Sequence, residues 1–150
     1  MTTDTTGLTM PFLQNYYGEY TKAPRDAICN LYHPQKSQVS MGDTFKFPPS
    51  VGRAAIEVLH RGTAATAEEA AKPPRLPPGT PALQTIDGLS IIDPSKPPVN
   101  GITSALLILV TGSIRTEGEA NSLNYMHVFL VATEAGSNYV ANELFGLIYA

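Results

Sequence analysis

Cysteine, basic charge and long apolar runs are all scarce in this sequence, and each shortage excludes something. The one cysteine, Cys29, has no partner within the chain, so no disulfide framework exists. Its apolar neighbours Ala27, Ile28 and Leu31 predict a buried reduced thiol, as expected of an intracellular protein. Ten Lys and Arg stand against thirteen Asp and Glu, a net charge of −3, and the cations are scattered. No basic stripe is available to neutralise a run of phosphates, so direct nucleic-acid binding is not expected. No uninterrupted apolar segment reaches the length that crosses a membrane, and "MTTDTTGLTM" lacks the basic region and apolar run of a leader. What is present, 150 residues with 43% apolar, suffices for one domain with a real core.

Residues 1–9 are polar and Thr-rich and read as a disordered tail, with the folded domain over 10–150. Phe12, Tyr16 and Tyr20 recur every four residues with Leu13 and Tyr17 beside them, which predicts a helix with an aromatic face. A second short helix is expected over 25–32, a small strand and turn over 37–47, and a third helix after Pro48 and Pro49 with Ser50 as its N-cap. The segment 62–81 contains five prolines between Pro73 and Pro81 and reads as an exposed Pro-rich insertion. After it the period changes. "ALQTIDGLSIID", "ITSALLILVTGSIRT", "SLNYMHVFLVATE" and "YVANELFGLIYA" predict four strands, the last three joined by short turns into an antiparallel meander. Helices first and sheet second is an α+β order.

The strands are apolar on both faces. Ile102, Leu106, Ile108 and Val110 share one parity while Ala105, Leu107 and Leu109 share the other, and the two following strands repeat the pattern. A sheet with one wet face alternates apolar and polar residues. Either a partner covers the second face, or a curved sheet closes over its own cavity. For a partner, the aromatic parity Tyr125, Phe129, Phe145 and Leu147 is the expected interface cluster, with Val128, Leu130, Leu144 and Ile148 packed under Phe12 and Tyr16.

"FLQNYYGEY", "APRDAICNLYHPQKS", "GRAAIEVL" and "HVFLVATEAGSNYVANELFGLIYA" resemble, in order and spacing, the nuclear transport factor 2-like family. The Asn, acid and Phe of the family's last strand are matched by Asn142, Glu143 and Phe145. The resemblance implies a cone-like α+β fold, with N-terminal helices packed on a bent antiparallel sheet that dimerises. The family also contains cavity enzymes, so the fold leaves function open. The sequence has no Trp, and "HRGTAATAEE" stands where the founding transport factor has an aromatic loop, which points away from import of the GDP form of Ran. A short chain with a divergent insertion and an aliphatic sheet is similar to the small, non-catalytic subunit of the fungal mRNA export receptor. That likeness implies a heterodimer with the large receptor subunit, contact with Phe-Gly nucleoporins, mRNA bound only through the partner, and shuttling between nucleus, pore and cytoplasm. A homodimeric transport or scaffold protein is the alternative, and a small-molecule dehydratase or isomerase a further one.

For the enzyme reading, His127 is the candidate base, with Asp87 or Asp93 to orient it. The competing reading is a core histidine bonded to a backbone group or a Tyr hydroxyl. His33, His60 and His127 are far apart in sequence, and no pair has ligand spacing, so neither a metal nor a cofactor is expected. Nothing near Cys29 would depress its pKa, which leaves it an inert thiol.

Overall fold

The computed structural model describes residues 2–20, 27–41, 49–61, 80–92, 94–115 and 122–148. The chain begins with a two-residue strand β1 (Thr2–Thr3), helix α1 (Thr9–Tyr20), a 3₁₀ helix (Ala27–Leu31), β2 (Gln38–Met41), β3 (Ser50–Val51) and helix α2 (Arg53–Arg61). Four long strands follow: β4 (Thr80–Ile92), β5 (Ile102–Arg115), β6 (Leu123–Glu134) and β7 (Ser137–Ile148). With β1, β2 and β3 they form, among the described residues, one seven-stranded sheet in the order β1-β4-β5-β6-β7-β2-β3. Among the described strands every pairing is antiparallel except β2 with β7, which is parallel. The architecture is α+β, as the element order predicts.

The turns follow from local chemistry. β6 returns into β7 through Ala135 and Gly136, both at positive φ, the two-residue geometry that matches the twist of paired strands. Asn100 and Gly101 make the same kind of turn ahead of β5, with Val99 and Ile102 exchanging backbone hydrogen bonds of 2.9 Å. Register shifts within β4, at the start of β5 and between Leu130 and Val131 insert the irregularities at which a broad sheet bends.

Two expectations about the helical half need correction. Residues 2–9 are ordered: Thr2 and Thr3 pair with Ser90 and Leu89 on β4, and the Asp4 carboxylate gathers the start of α1. Its Oδ1 accepts from the Thr6 amide (2.8 Å), the Thr6 hydroxyl and the Gly7 amide, and its Oδ2 accepts from the Thr9 amide (3.0 Å) and hydroxyl. A polar tail repays its ordering here with hydrogen bonds in place of apolar burial. The third helix does not start at Ser50. Ser50 and Val51 pair with β2, Gly52 turns the chain at φ 87°, and the Gly52 and Arg53 amides donate to the Ser37 and Pro34 carbonyls. The preceding loop thus satisfies donors that an N-cap side chain would take. Of the Pro-rich segment, Thr80 and Pro81 begin β4, where a proline is tolerated on a strand with an open edge; residues 62–79 lie outside the described residues.

Helix α1 lies across one face of the sheet. Leu13, Tyr16, Tyr17 and Tyr20 are buried, the i, i+3, i+4 and i+7 face the spacing predicts. The Phe129 ring meets Tyr16 at 4.7 Å and Phe12 at 5.2 Å between centroids, both edge-on. Ile28, Ile56, Leu106, Ile108, Val110 and Val140 complete the core around them. The aromatic opening is therefore core that fastens the helix to the sheet. Cys29 is buried in the same cluster.

Candidate functional site

Alternation along β6 and β7 decides which side chains meet the helices. Tyr125 and Phe129 are 0% exposed and Phe145 2%, all beneath α1, and Leu147 packs against the same core. The aromatic parity therefore faces inward, and its expected role as a partner surface is corrected. Val128, Leu130 and Leu144, expected with Ile148 under Phe12 and Tyr16, lie half-buried on the opposite face, and the Ile148 side chain lies outside the described residues. The reason is polar: His127 and Glu143 share the aromatic parity, and each needs partners when buried. The tyrosines of α1 supply them.

A hydrogen-bond network results, centred on Glu143, whose side chain is wholly buried. Glu143 accepts from the Tyr16 hydroxyl at 2.7 Å, the Tyr32 hydroxyl at 2.5 Å and His127 Nε2 at 2.6 Å. His127 Nδ1 meets the Tyr17 hydroxyl at 2.9 Å, and the Tyr32 hydroxyl lies 2.9 Å from His60 Nε2. Burial opposes ionisation of Glu143, but the adjacent His127 and the surrounding donors outweigh it and hold the carboxyl below its ordinary value. Burial, followed by the nearby Glu143 charge, pushes the Tyr16 and Tyr32 hydroxyls upward, so both stay protonated donors. Tyr17 is raised as well, mainly by burial.

His127 is thus oriented by a carboxylate, but by Glu143. Asp87, one of the two proposed orienters, is exposed on the other face opposite Leu109, and Asp93 lies outside the described residues. The reading that fits is a core histidine bonded to a Tyr hydroxyl, with a buried acid as its second partner. Sequence spacing did not connect Tyr32, His60 and Glu143 to this cluster. The available signal was the one acid of β7, on the same parity as a histidine in the strand beside it.

On the outer face the rows read Asp87, Leu109, Val128 and Leu144 in one line, and Leu89, Leu107, Leu130 and Asn142 in the next. Met126 stands in a third row beside Thr111. Leu109 is 41% exposed, and its leucine and valine neighbours in these rows are half-buried. A contiguous apolar surface at the centre of a sheet, with polar residues at its borders, has the make-up of a protein contact. A groove of about 210 Å³ lies elsewhere, between α1 and the ends of β6 and β7, lined by Leu8, Phe12, Asn15, Leu31, Val131 and Tyr139. Among the described residues no group of three or more His, Cys, Asp or Glu could hold a metal ion. No described helix is long and apolar enough to cross a membrane.

Helices laid on one face of a bent, largely antiparallel sheet define the nuclear transport factor 2-like fold. No family model matches the chain. It is 41% identical over 51 residues to nuclear transport factor 2 of Emericella nidulans, a match covering 33% of this chain and 41% of that protein's length. Among solved structures it is similar to the yeast UBP3-associated protein BRE5, with a TM-score of 0.65 and 17% identity over 94% of each chain. It is also similar to a chain of the Candida albicans Mtr2-Mex67 M domain complex, with a TM-score of 0.54 and 15% identity over 93% of this chain and 92% of that one. These structural likenesses establish the fold.

Proposed function

We propose that this chain is a non-catalytic dimerisation subunit in nuclear export of mRNA. Its outer sheet face pairs with the nuclear transport factor 2-like domain of a larger export receptor subunit. The observation that carries the reading is the apolar outer face, centred on Leu109, Val128, Leu130 and Leu144 and left uncovered by the described helices. Covering several hundred Å² of such surface at about 25 cal/mol per Å² is worth several kcal/mol, enough to favour a standing partner over exposure. Support comes from the likeness to a chain of the Mtr2-Mex67 complex and from the local identity with a transport factor. The enclosed Glu143 network fits a structural role for the residues that a cavity enzyme would present to substrate. In this reading Phe-Gly nucleoporin repeats dock a phenylalanine ring in the groove beside Phe12 and Tyr139, and mRNA is reached only through the partner.

The test is affinity purification of the tagged chain from cell extract, with mass spectrometry of what accompanies it. A larger chain with a nuclear transport factor 2-like domain should be recovered. Val128→Asp should lose it while the circular dichroism of the isolated variant stays unchanged. Recovery of this chain's own copies alone would favour a homodimeric transport or scaffold protein. A monomer that captures nothing would sink both.

A further inference from the structure

Resting on the reading of the outer sheet face as a partner surface, we propose that Asp87 selects a partner unlike this chain: one whose facing sheet presents an Arg or Lys. Asp87 stands on β4 directly opposite Leu109, at the edge of the apolar rows. Its direction is fixed by its neighbours. Ile86 packs against the core, and Gly88 is pressed so closely against the start of α1 that a Cβ there would collide with the Thr9 hydroxyl. With both flanking residues facing the helix side, the carboxylate has to point outward. Among the described residues it makes no hydrogen bond or ion pair.

A partner laid over Leu109 and Leu89 would take this carboxylate out of water. A desolvated charge is tolerated only with a counter-charge or several donors. Among the described residues this face offers none nearby. Around Asp87 it carries Thr85, Leu89, Leu107 and Leu109, and farther across the sheet Asn142, Ser40 and Gln38. Arg115 lies six residues along β5 from Leu109, roughly 20 Å away at 3.3 Å per residue. In a twofold pair the opposing surface would be this same face, so two carboxylates would be buried without cations. A different sheet with a centrally placed Arg or Lys removes the penalty and adds a charge-assisted bond. The same residue would thus oppose self-pairing and favour the heterotypic complex.

Self-association of the purified chain tests this without knowing the partner. Sedimentation velocity over a concentration series compares the wild type with Asp87→Asn and Asp87→Leu. Both variants should dimerise about tenfold or more tightly than the wild type, since each removes an uncompensated buried charge. Variants that associate no more tightly than the wild type overturn the proposal. Adding Val128→Asp or Leu109→Gln to the Asp87→Asn chain should return it to monomer, with circular dichroism reporting that each remains folded. If the dimer persists through these changes, the contact lies elsewhere and the outer-face reading itself fails. If they abolish it while Asp87→Asn has no effect in the parent chain, only the charge selection fails.

Discussion

Replacing Glu143 by Gln tests whether the buried network holds helices to sheet. The change preserves shape but removes the charge that three donors address: Tyr16 on α1, Tyr32 after the 3₁₀ helix and His127 on β6. Hydrogen bonds to a charged group contribute about 1.5–3 kcal/mol each, and removing one member of a buried pair typically costs about 3–5 kcal/mol. The glutamine amide adds a donor to a site already crowded with donors, so the upper half of that range is expected. Domains of this size are stable by about 5–15 kcal/mol in total. The variant should therefore fold but sit close to its limit. Tyr16→Phe, which removes a single donor, should cost about 2 kcal/mol, and Tyr32→Phe more, because that hydroxyl also meets His60. Urea titration followed by circular dichroism gives each value by linear extrapolation, and a double-mutant cycle between positions 16 and 143 isolates their coupling. A Glu143→Gln loss under about 1 kcal/mol, with unchanged denaturant slope, would refute the network as a stabilising device.

Because the folded-state pKa of Glu143 is lowered, its contribution is present above the ordinary value of 4.5 and is lost as pH falls through the lowered one. Stability should decline below about pH 4.5 in the wild type, with a shallower acid limb in Glu143→Gln measured by urea titration across pH. Gly112→Ala places a Cβ against the Ala82 carbonyl oxygen, a backbone atom that cannot rotate away. A loss of about 1–3 kcal/mol in thermal unfolding is expected, and a variant as stable as the wild type would contradict the β4–β5 packing. Asp4→Ala removes the acceptor that collects Thr6, Gly7 and Thr9. It should cost about 1 kcal/mol and speed hydrogen exchange at those three amides, while exchange at Tyr16 stays slow.

Residue pattern made the four long strands, the aromatic helix and the α+β order legible, since the strands are long apolar and β-branched runs and the helix repeats its aromatics every four positions. It could not settle which sheet face meets the helix. Val128 and Phe129 are both apolar, so hydrophobicity gives no preference; the decision lies with His127 and Glu143, two polar residues whose needs are met only under the tyrosines. The ordered start leaves no periodic trace for a related reason. Asp4, Thr6 and Thr9 gather hydrogen bonds over a few residues, a pattern that composition scores as a disordered tail. Ser50 reads locally as a cap because the pairing of Ser50–Val51 with β2 is a long-range contact with no local trace.

The Glu143 network also bears on the order in which the domain is completed during synthesis. Its donors belong to residues 16, 32 and 127, and the hydroxyl at 16 waits for an acceptor 127 positions later. Until β7 has left the ribosome, Tyr16, Tyr32 and His127 have no carboxylate to enclose, and α1 has only its apolar contacts to hold it on an unfinished sheet. Contacts of such long sequence separation form late and slowly. A nascent chain from which β6 but not β7 has emerged would thus carry its aromatic helix on apolar contacts alone, with the Leu109 and Val128 face open. Emergence of β7 supplies the carboxylate and closes the network.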